Sequence, residues 1–488
     1  MSYLELLKLA APEAIVVVTA LAVLTIGLTT ARALVLAPIV AVLGIALAIG
    51  AVLMLPSHAN LFGGMLVISP LNSLFKIICL ALAIATIPLV SSEKALPNPG
   101  EYIAVLLLGS VGLMLLVGSE ELLMIFIGLE LLGLSLYVLA AFDKADVRSA
   151  EAGLKYFLFG STASAFTLFG ISLIYGLSGT TVLAAIGQKL TTLPLQPLLA
   201  VGIVMTLIGF AFKIAAAPFH LWAPDAYQGA PIPSAAFIAS GSKVASFVVL
   251  GKIVLVGFGP VHGSADWHAM IAGWSPVLAA LAALSILLGN FVALAQTNVR
   301  RLLAYSAVAH GGYTLLGIVA GGREGFSATL FYTSTYAVTL IGAFAVVGAV
   351  RRETGGDDLQ NFSGLAARSP FIAACMAIFF LSLAGLPPLA GFFGKFYLFS
   401  AAFRAGGNHG LLWLVAVALF GSFVSLYYYL IVLKVIFIDQ ASSTPQQLNR
   451  STPFDFFSPM TVAVLAAAVL FLGVMPQTLA AKIIASLP

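Results

Sequence analysis

Charged side chains are scarce in this sequence. Asp, Glu, Lys and Arg make up only 8% of its 488 residues, whereas hydrophobic residues make up 61%. An ordinary soluble domain has about one quarter of its residues charged, so an oversized soluble core is a poor explanation of this composition. The net charge is only +4 and no basic run has interleaved aromatic residues, so nucleic-acid binding has no support. We therefore expect lipid to solvate most of the surface.

Cysteine is almost lacking as well. The two cysteines, Cys79 and Cys375, lie in separate apolar stretches and have no CxxC spacing. Iron–sulfur and zinc sites usually require several cysteine or histidine ligands at characteristic spacings. The sequence also lacks the GxGxxG and Walker motifs that indicate nucleotide binding. It therefore predicts no redox centre, metal or nucleotide cofactor in this chain.

Long apolar segments, by contrast, are abundant. A membrane-crossing helix requires about 20 mainly apolar residues. Segments of this kind lie near 12–30, 33–55, 71–91, 101–118, 120–142, 152–177, 197–219, 233–256, 272–295, 299–320, 325–350, 369–404, 409–438 and 457–480. The segment 369–404, which contains Pro and Gly, is either one broken helix or two shorter ones. The pattern predicts an all-α polytopic membrane protein with about 14 transmembrane helices.

Lys and Arg are unevenly distributed between alternate loops, and such an asymmetry indicates orientation in the membrane. With the N-terminus outside, the inside loops and helix ends contain Arg32, Lys94, Lys144, Arg148, Lys155, Arg300, Arg301, Arg351, Arg352, Arg368, Lys434 and Arg450. The outside then contains Lys8, Lys189, Arg323, Arg404 and Lys482. We expect a multi-pass protein of a bacterial inner membrane, with both termini periplasmic and the 351–368 loop cytoplasmic.

Five bases lie within the apolar segments, and all of them are lysines: Lys76, Lys213, Lys243, Lys252 and Lys395. A buried lysine can release its proton, whereas a guanidinium group stays charged in proteins. Snorkelling to an interface is the better interpretation for Lys252, near the end of its segment, and is also considered for Lys76. Ionisable groups deep in a membrane are usually functional, so Lys213, Lys243 and Lys395 are predicted to act in transport.

One acid, Glu130, lies midway along an apolar segment, in LLMIFIGLELLGLSLYVL. An isolated charge in hydrocarbon is costly, so we expect Glu130 either to pair with a lysine or to stay neutral. In the second case it would form a hydrogen bond to a neighbouring helix.

Prolines interrupt two segments close to a lysine. Pro218 follows Lys213 by five residues, and Pro387 and Pro388 precede Lys395. Proline removes a helical hydrogen bond, so both helices are predicted to break at these prolines. Broken helices at membrane depth often mark transport sites, although a kink that serves only packing is the alternative.

His310 and Tyr305 lie one turn apart in RRLLAYSAVAHGGYTLLG. Histidine titrates near neutral pH and can relay protons between lysines. A histidine that only fills its place in the core is an equally good interpretation.

Three long motifs resemble a known family. KIAAAPFHLWAPDAYQGAPIPSAAFIASGSKVASF, NVRRLLAYSAVAHGGY and LAGLPPLAGFFGKFYLF are similar to the antiporter-like membrane subunits of proton-pumping NADH:quinone oxidoreductase, respiratory complex I, and most closely to the subunit N group. The resemblance covers about 100 to 480. It implies two inverted five-helix repeats, 101–256 and 272–438, each with a broken helix. A three-helix segment, 1–100, precedes them, and a transmembrane helix, 457–480, follows.

The resemblance also implies roles for single residues. It suggests that Glu130 pairs with Lys213, that Lys243 continues the proton path and that Lys395 ends it. His310 and Lys155 match polar positions of the central axis less closely. A lysine at position 395, where a glutamate would stand in subunit M, argues against that subunit.

For partners, the resemblance implies other antiporter-like subunits and small membrane subunits of complex I. NADH, FMN, iron–sulfur clusters and quinone are expected in other partner subunits of the complex and not in this chain. The main rival is a subunit of a multi-subunit cation/proton antiporter. A quinone-reducing enzyme subunit lacks ligands for a redox centre in this sequence, and a purely structural membrane spacer leaves the buried charges unexplained.

Overall fold

Apolar helices form nearly all of the structure, a computed structural model that describes residues 3–30, 32–93, 96–405, 409–440 and 457–487. Lys94 and Arg450, which contribute to the predicted orientation, lie outside the described residues. Lipid offers no hydrogen-bond partners to backbone groups, whereas a helix pairs its own backbone N–H and C=O groups. Runs of Ala, Val, Leu and Ile therefore fold as helices here.

The helices of the first part are α1 (Tyr3–Leu9), α2 (Ala11–Thr29), α3 (Ala33–Leu53), α4 (Pro70–Thr86), α5 (Pro99–Gly118), α6 (Leu122–Ala140), α7 (Val147–Ser178), α8 (Leu183–Leu190), α9 (Pro197–Lys213), α10 (Ala223–Gly229), α11 (Ile232–Ala239) and α12 (Gly241–Lys252). A short hairpin of β1 (Ala59–Leu61) and β2 (Leu66–Ile68) joins α3 to α4.

The helices of the second part are α13 (Trp274–Leu294), α14 (Val299–Ala320), α15 (Gly322–Thr354), α16 (Leu365–Arg368), α17 (Pro370–Ala384), α18 (Ala390–Arg404), α19 (Leu412–Phe437), α20 (Phe457–Val474) and α21 (Gln477–Ser486). Two of them, α14 and α15, are buried around almost their whole circumference, as is the α11–α12 segment. These elements form the centre of the bundle.

The predicted membrane spans all coincide with described helices. Eleven described helices are long and apolar enough to cross a membrane, and the bent pair α20–α21 adds a twelfth. The two remaining predicted spans correspond to the shorter apolar helices α9 and α17, each followed by a break. The last predicted span, 457–480, corresponds to α20 and the first part of α21, and the chain bends by 76° between these two helices.

Both predicted helix breaks are present. Helix α9 ends at Lys213, before Pro218, and the chain becomes helical again only at α10. Helix α17 ends at Ala384, and Gly385 adopts a left-handed conformation with φ of 87° ahead of Pro387 and Pro388. Such a conformation favours glycine because glycine has no Cβ.

A third interruption was not predicted. Ser240, with φ of −114° and ψ of −88°, separates α11 from α12 within the segment expected as one helix over 233–256. A π-helical turn, Ile253–Gly257, follows α12. Ser and Gly pairs often accompany helix kinks. The run Ser240-Gly241-Ser242 therefore indicated a kink, although it lies within a mainly apolar segment.

Candidate functional site

Three lysines predicted to act in transport are buried in the interior of the bundle. Lys213, Lys243 and Lys395 are 1%, 2% and 5% exposed. Each of them is close to an interruption in a helix. Lys213 is the last residue of α9, Lys243 is in the first turn of α12, and Lys395 is in α18, just after the second proline break.

The Lys213 ammonium lies in an aromatic environment. Its Nζ atom is 5.6 Å from the ring centroid of Tyr137 and 5.8 Å from that of Tyr156, distances at which an aromatic ring attracts a cation. It also contacts α6, since a Cβ atom added to Gly133 would lie 3.2 Å from Nζ. Within the described residues, this Nζ atom is buried without a hydrogen-bond partner.

Glu130 lies one helical turn before Gly133 on α6 and is partly buried. Its carboxylate accepts a hydrogen bond from the hydroxyl of Ser164 on α7. No direct ion pair joins Glu130 to Lys213 in the described part of the chain, because α6 places Gly133 against the ammonium. Glu130 thus has a hydrogen bond to a neighbouring helix, and its pairing with Lys213 stays a prediction.

Lys243 connects α12 to α14. Its Nζ atom donates a hydrogen bond of 2.7 Å to the backbone oxygen of Ala307. The same ammonium lies 5.8 Å from the centroid of the Tyr336 ring. Ala307 is about one turn before His310, so Lys243 reaches the helix segment that carries the histidine.

His310 is the centre of a cluster of tyrosines. Its Nδ1 atom is 2.6 Å from the hydroxyl of Tyr332, and its Nε2 atom is 3.1 Å from that of Tyr429. The imidazole stacks on the Tyr336 ring with centroids 4.8 Å apart. The Tyr429 hydroxyl also forms a hydrogen bond with Ser306. Both ring nitrogens are therefore part of a hydrogen-bonded network.

Lys395 uses a backbone group near the proline break. Its Nζ atom donates hydrogen bonds of 2.9 Å to the Ala384 carbonyl and to the Ser422 hydroxyl. Pro388 cannot donate to the Ala384 carbonyl, which leaves this oxygen available to the lysine. The ammonium lies 5.2 Å from the Tyr313 ring centroid, and the Tyr313 ring packs edge-on against His310 at 5.6 Å.

The second half of the site is thus a continuous series of polar and aromatic groups from Lys243 through His310 to Lys395. The tyrosines of this series were not predicted from the sequence. Tyr332 and Tyr336 have the spacing of one helical turn, which places them on the same face of α15. That spacing was the available signal, but aromatic residues are too common in apolar helices for it to be specific.

Two candidate relay residues lie elsewhere. The Tyr305 ring faces His220, with centroids 6.2 Å apart. Lys155 is partly exposed and forms ion pairs of 2.5 Å with Glu151 and 2.7 Å with Asp225. The structure therefore does not place Lys155 among the buried lysines.

The snorkelling interpretation was wrong for Lys252 and for Lys76, because both side chains are buried. Lys76 pairs with Glu13 at 2.5 Å. Lys252 donates hydrogen bonds to the Asn72 side chain at 2.5 Å and to the Val117 carbonyl at 2.7 Å. Neighbouring helices cover both ammonium groups, and this tertiary packing cannot be seen in the hydropathy of one segment.

The described residues contain no group of three or more His, Cys, Asp or Glu side chains arranged as metal ligands. Cys79 and Cys375 are both buried and free.

Comparison with protein families gives one match that covers more than half of the chain. Residues 119–425 match the family model described as NADH:quinone oxidoreductase/Mrp antiporter, TM. The chain is 46% identical over 440 residues to NADH-quinone oxidoreductase subunit N 2 of Acidobacterium capsulatum, covering 88% of this chain and 87% of that protein. It is 42% identical over 420 residues to subunit N of Moorella thermoacetica, covering 85% and 84%.

Solved structures show the same architecture. A chain of respiratory complex I from Thermus thermophilus matches with a TM-score of 0.78 and 31% identity, over 96% of this chain and 98% of that one. A chain of the Mrp complex from Dietzia sp. matches with a TM-score of 0.84 but only 22% identity, over 98% and 97%, so it shows similarity of fold alone.

Proposed function

The chain belongs to the NADH:quinone oxidoreductase/Mrp antiporter transmembrane family, and on this basis we propose that it is a proton-translocating membrane subunit of NADH:quinone oxidoreductase. Quinone reduction in partner subunits, which would also hold NADH, FMN and the iron–sulfur clusters, supplies the energy. The two stretches 101–256 and 272–438 act as the two inverted repeats. Other antiporter-like subunits and small membrane subunits are its neighbours in the membrane.

The observation that carries this proposal is the buried series of titratable groups in the second half of the site. Lys243 reaches Ala307, His310 follows on the same helix, and Lys395 lies beyond the Tyr313 ring. Hydrogen-bonded groups of this kind can pass a proton by successive short transfers. A lysine at each end can give up and regain a proton.

The part of the site around Lys213 and Glu130 regulates this proton transfer. The Lys213 ammonium has no hydrogen bond to hold it in the described structure, so its energy depends strongly on nearby charge. An ionised Glu130 stabilises the ammonium, and a neutral or more distant Glu130 favours release of its proton toward Lys243. Electrostatic coupling between Glu130 and Lys213 thus links an event in a neighbouring subunit to proton movement here.

The rival function is cation/proton antiport. It is the alternative because the chain shares its fold with a chain of the Mrp complex. Purification of the chain with its native partners tests the choice. We expect NADH-oxidising and quinone-reducing activity in the purified complex, together with NADH-driven proton pumping after reconstitution. Recovery of the chain in a complex without redox subunits, which exchanges sodium for protons, would contradict the proposal.

His310→Gln is expected to reduce proton pumping by about tenfold, which is less than the contribution of about 10²- to 10⁴-fold that is typical of positioned acids and bases. Glutamine can keep hydrogen bonds to Tyr332 and Tyr429 but cannot carry a proton. Pumping is measured in membrane vesicles with the amount of assembled complex determined. Tyr305→Phe is the control and is expected to pump normally, because Tyr305 faces His220. Normal pumping by His310→Gln would reduce the histidine to a packing role.

Orientation is tested with single cysteines in exposed loops. Gln360 and Thr192 are both exposed and lie in loops predicted to face opposite sides. We expect a membrane-impermeant thiol reagent, added to intact cells, to label Thr192→Cys and not Gln360→Cys. The reverse pattern would overturn the predicted orientation, in which the 351–368 loop is cytoplasmic and both termini are periplasmic.

A further inference from the structure

A large cavity opens beside the end of α12, away from the three buried lysines. Its volume is about 1000 Å³, and its walls include Glu120, Lys252, Val256, Arg323 and Phe326. It lies where the β-hairpin, the link between α5 and α6, the start of α15 and the end of α21 come together. We call this cavity the vestibule. In the proposed orientation it faces the periplasm.

A buried base and an exposed acid meet at the wall of the vestibule. Lys252 is 5% exposed, and its ammonium lies 3.9 Å from the carboxylate of Glu120. The Glu120 side chain is 42% exposed, so its carboxylate can exchange protons with water in the vestibule. Ionisable side chains buried within membrane-spanning segments, as Lys252 is, are costly and usually functional.

Further charged groups lie behind Lys252. Lys76 lies one helical turn after Asn72 on α4 and packs against Gly118, whose added Cβ would lie 3.1 Å from Nζ. Glu13 pairs with Lys76 through Oε1, while its buried Oε2 atom has no hydrogen-bond partner in the described residues.

Among the described residues that line the vestibule, the other ionisable side chains are those of His58 and Arg323. The Arg323 guanidinium donates to the backbone oxygens of Ile484 and Leu487. It is therefore held by the end of α21 and does not neutralise Glu120.

Helix α12 joins the charged groups around Lys252 to the central site, by which we mean Lys213, Lys243, His310 and Lys395. Lys243 is in its first turn and Lys252 is its last residue, about 13.5 Å further along the helix axis at 1.5 Å per residue. This distance is too long for direct transfer, so proton transfer between the two lysines would require intervening water. The π-helical turn Ile253–Gly257 follows at once, and such turns are frequent at functional sites.

We propose that Lys252 and Glu120 form a proton-exchange site through which protons leave the central site for the vestibule. The Lys252 ammonium gives a proton to the Glu120 carboxylate, which releases it to water in the vestibule. A proton that arrives by water from Lys243 then restores the ammonium. Lys243 is recharged from Lys395 through His310, so in this proposal Lys395 supplies protons to the outlet and does not end the path. The inference rests on the proposed function, since it supplies an outlet for the same protons.

The test blocks the vestibule after the complex has assembled, so that folding is not in question. Val256 is half-exposed at the vestibule wall, and both natural cysteines are buried. Spheroplasts with Val256→Cys are treated with a membrane-impermeant, positively charged thiol reagent. Inverted vesicles are then prepared, and NADH-driven proton pumping is compared between labelled and unlabelled samples. Met270→Cys, on an exposed loop that does not line the vestibule, is the matched control.

We expect labelling to cause a loss of pumping in Val256→Cys and no change in Met270→Cys. Lys252→Arg, which keeps the positive charge, is expected to lose pumping as Lys252→Gln does. A Val256→Cys thiol that is not labelled, or that is labelled without loss of pumping, overturns the inference. Lys395→Ala separates the two proposals. If Lys395→Ala pumps normally, the proposed function is wrong. If Lys395→Ala fails to pump but labelled Val256→Cys still pumps normally, the proposed function stands and only the proposed outlet is wrong.

Discussion

Lys395→Arg is expected to lose proton pumping almost as completely as Lys395→Ala, with a decrease of more than about tenfold. Arginine keeps the positive charge and can donate to the Ala384 carbonyl and the Ser422 hydroxyl, which are the present partners of Lys395. It does not release its proton in proteins. A residue that has to deprotonate in each cycle therefore cannot be replaced by arginine.

The measurement is NADH-driven proton pumping and quinone reduction in membranes in which the assembled complex has been quantified. Quantification matters because loss of assembly would imitate loss of proton transfer. Lys189→Arg, at the C-terminal end of the short helix α8, is a matched control and is expected to behave like the parent. If Lys395→Arg pumps like the parent while Lys395→Ala does not, a fixed positive charge is sufficient and the titrating role is wrong.

Glu130→Gln is expected to lower pumping by about tenfold while the complex still assembles. The introduced amide side chain retains an oxygen that can accept the hydrogen bond from Ser164. The substitution therefore keeps the contact between α6 and α7 and removes only the charge that acts on Lys213. Quinone reduction is expected to slow as well, because coupled electron transfer cannot proceed freely when proton transfer is blocked.

Ser164→Ala is the complementary variant, because it removes the hydrogen bond and leaves the carboxylate charged. We expect it to impair pumping less than Glu130→Gln does. The same loss in both variants would show that the hydrogen bond, and not the charge, is what matters. Unchanged pumping in Glu130→Gln would leave Glu130 with a structural role only.

The sequence predicted the elements of this fold well because their signals are local. Apolar runs of sufficient length have to be helices in lipid, and Pro218, Pro387 and Pro388 remove helical hydrogen bonds wherever they stand. The burial of Lys213 and Lys395 followed from their place in such runs. Each of these conclusions depended on one segment and not on how segments pack.

Contacts between distant segments could not be predicted in the same way. Lys76 pairs with Glu13 across 63 positions of sequence, and hydropathy does not show which helix will cover an ammonium group. The surroundings of Lys213 could not be predicted for a related reason, since they depend on which residue of α6 faces the lysine, and the structure places Gly133 there. The tyrosines that hydrogen-bond to His310 likewise come from two other helices, α15 and α19.

The hydrogen-bond acceptor of each buried lysine affects how easily that lysine can lose its positive charge. Lys243 and Lys395 donate to backbone oxygens, Ala307 and Ala384, which carry no net charge. Lys76 donates to a carboxylate. When an ammonium opposite a carboxylate becomes neutral, an unbalanced anion remains in a medium of low polarity, which is costly. A carbonyl leaves no such anion behind. The difference in acceptors supports the proposal that Lys243 and Lys395 change their charge during turnover, because neither leaves an unpaired carboxylate behind.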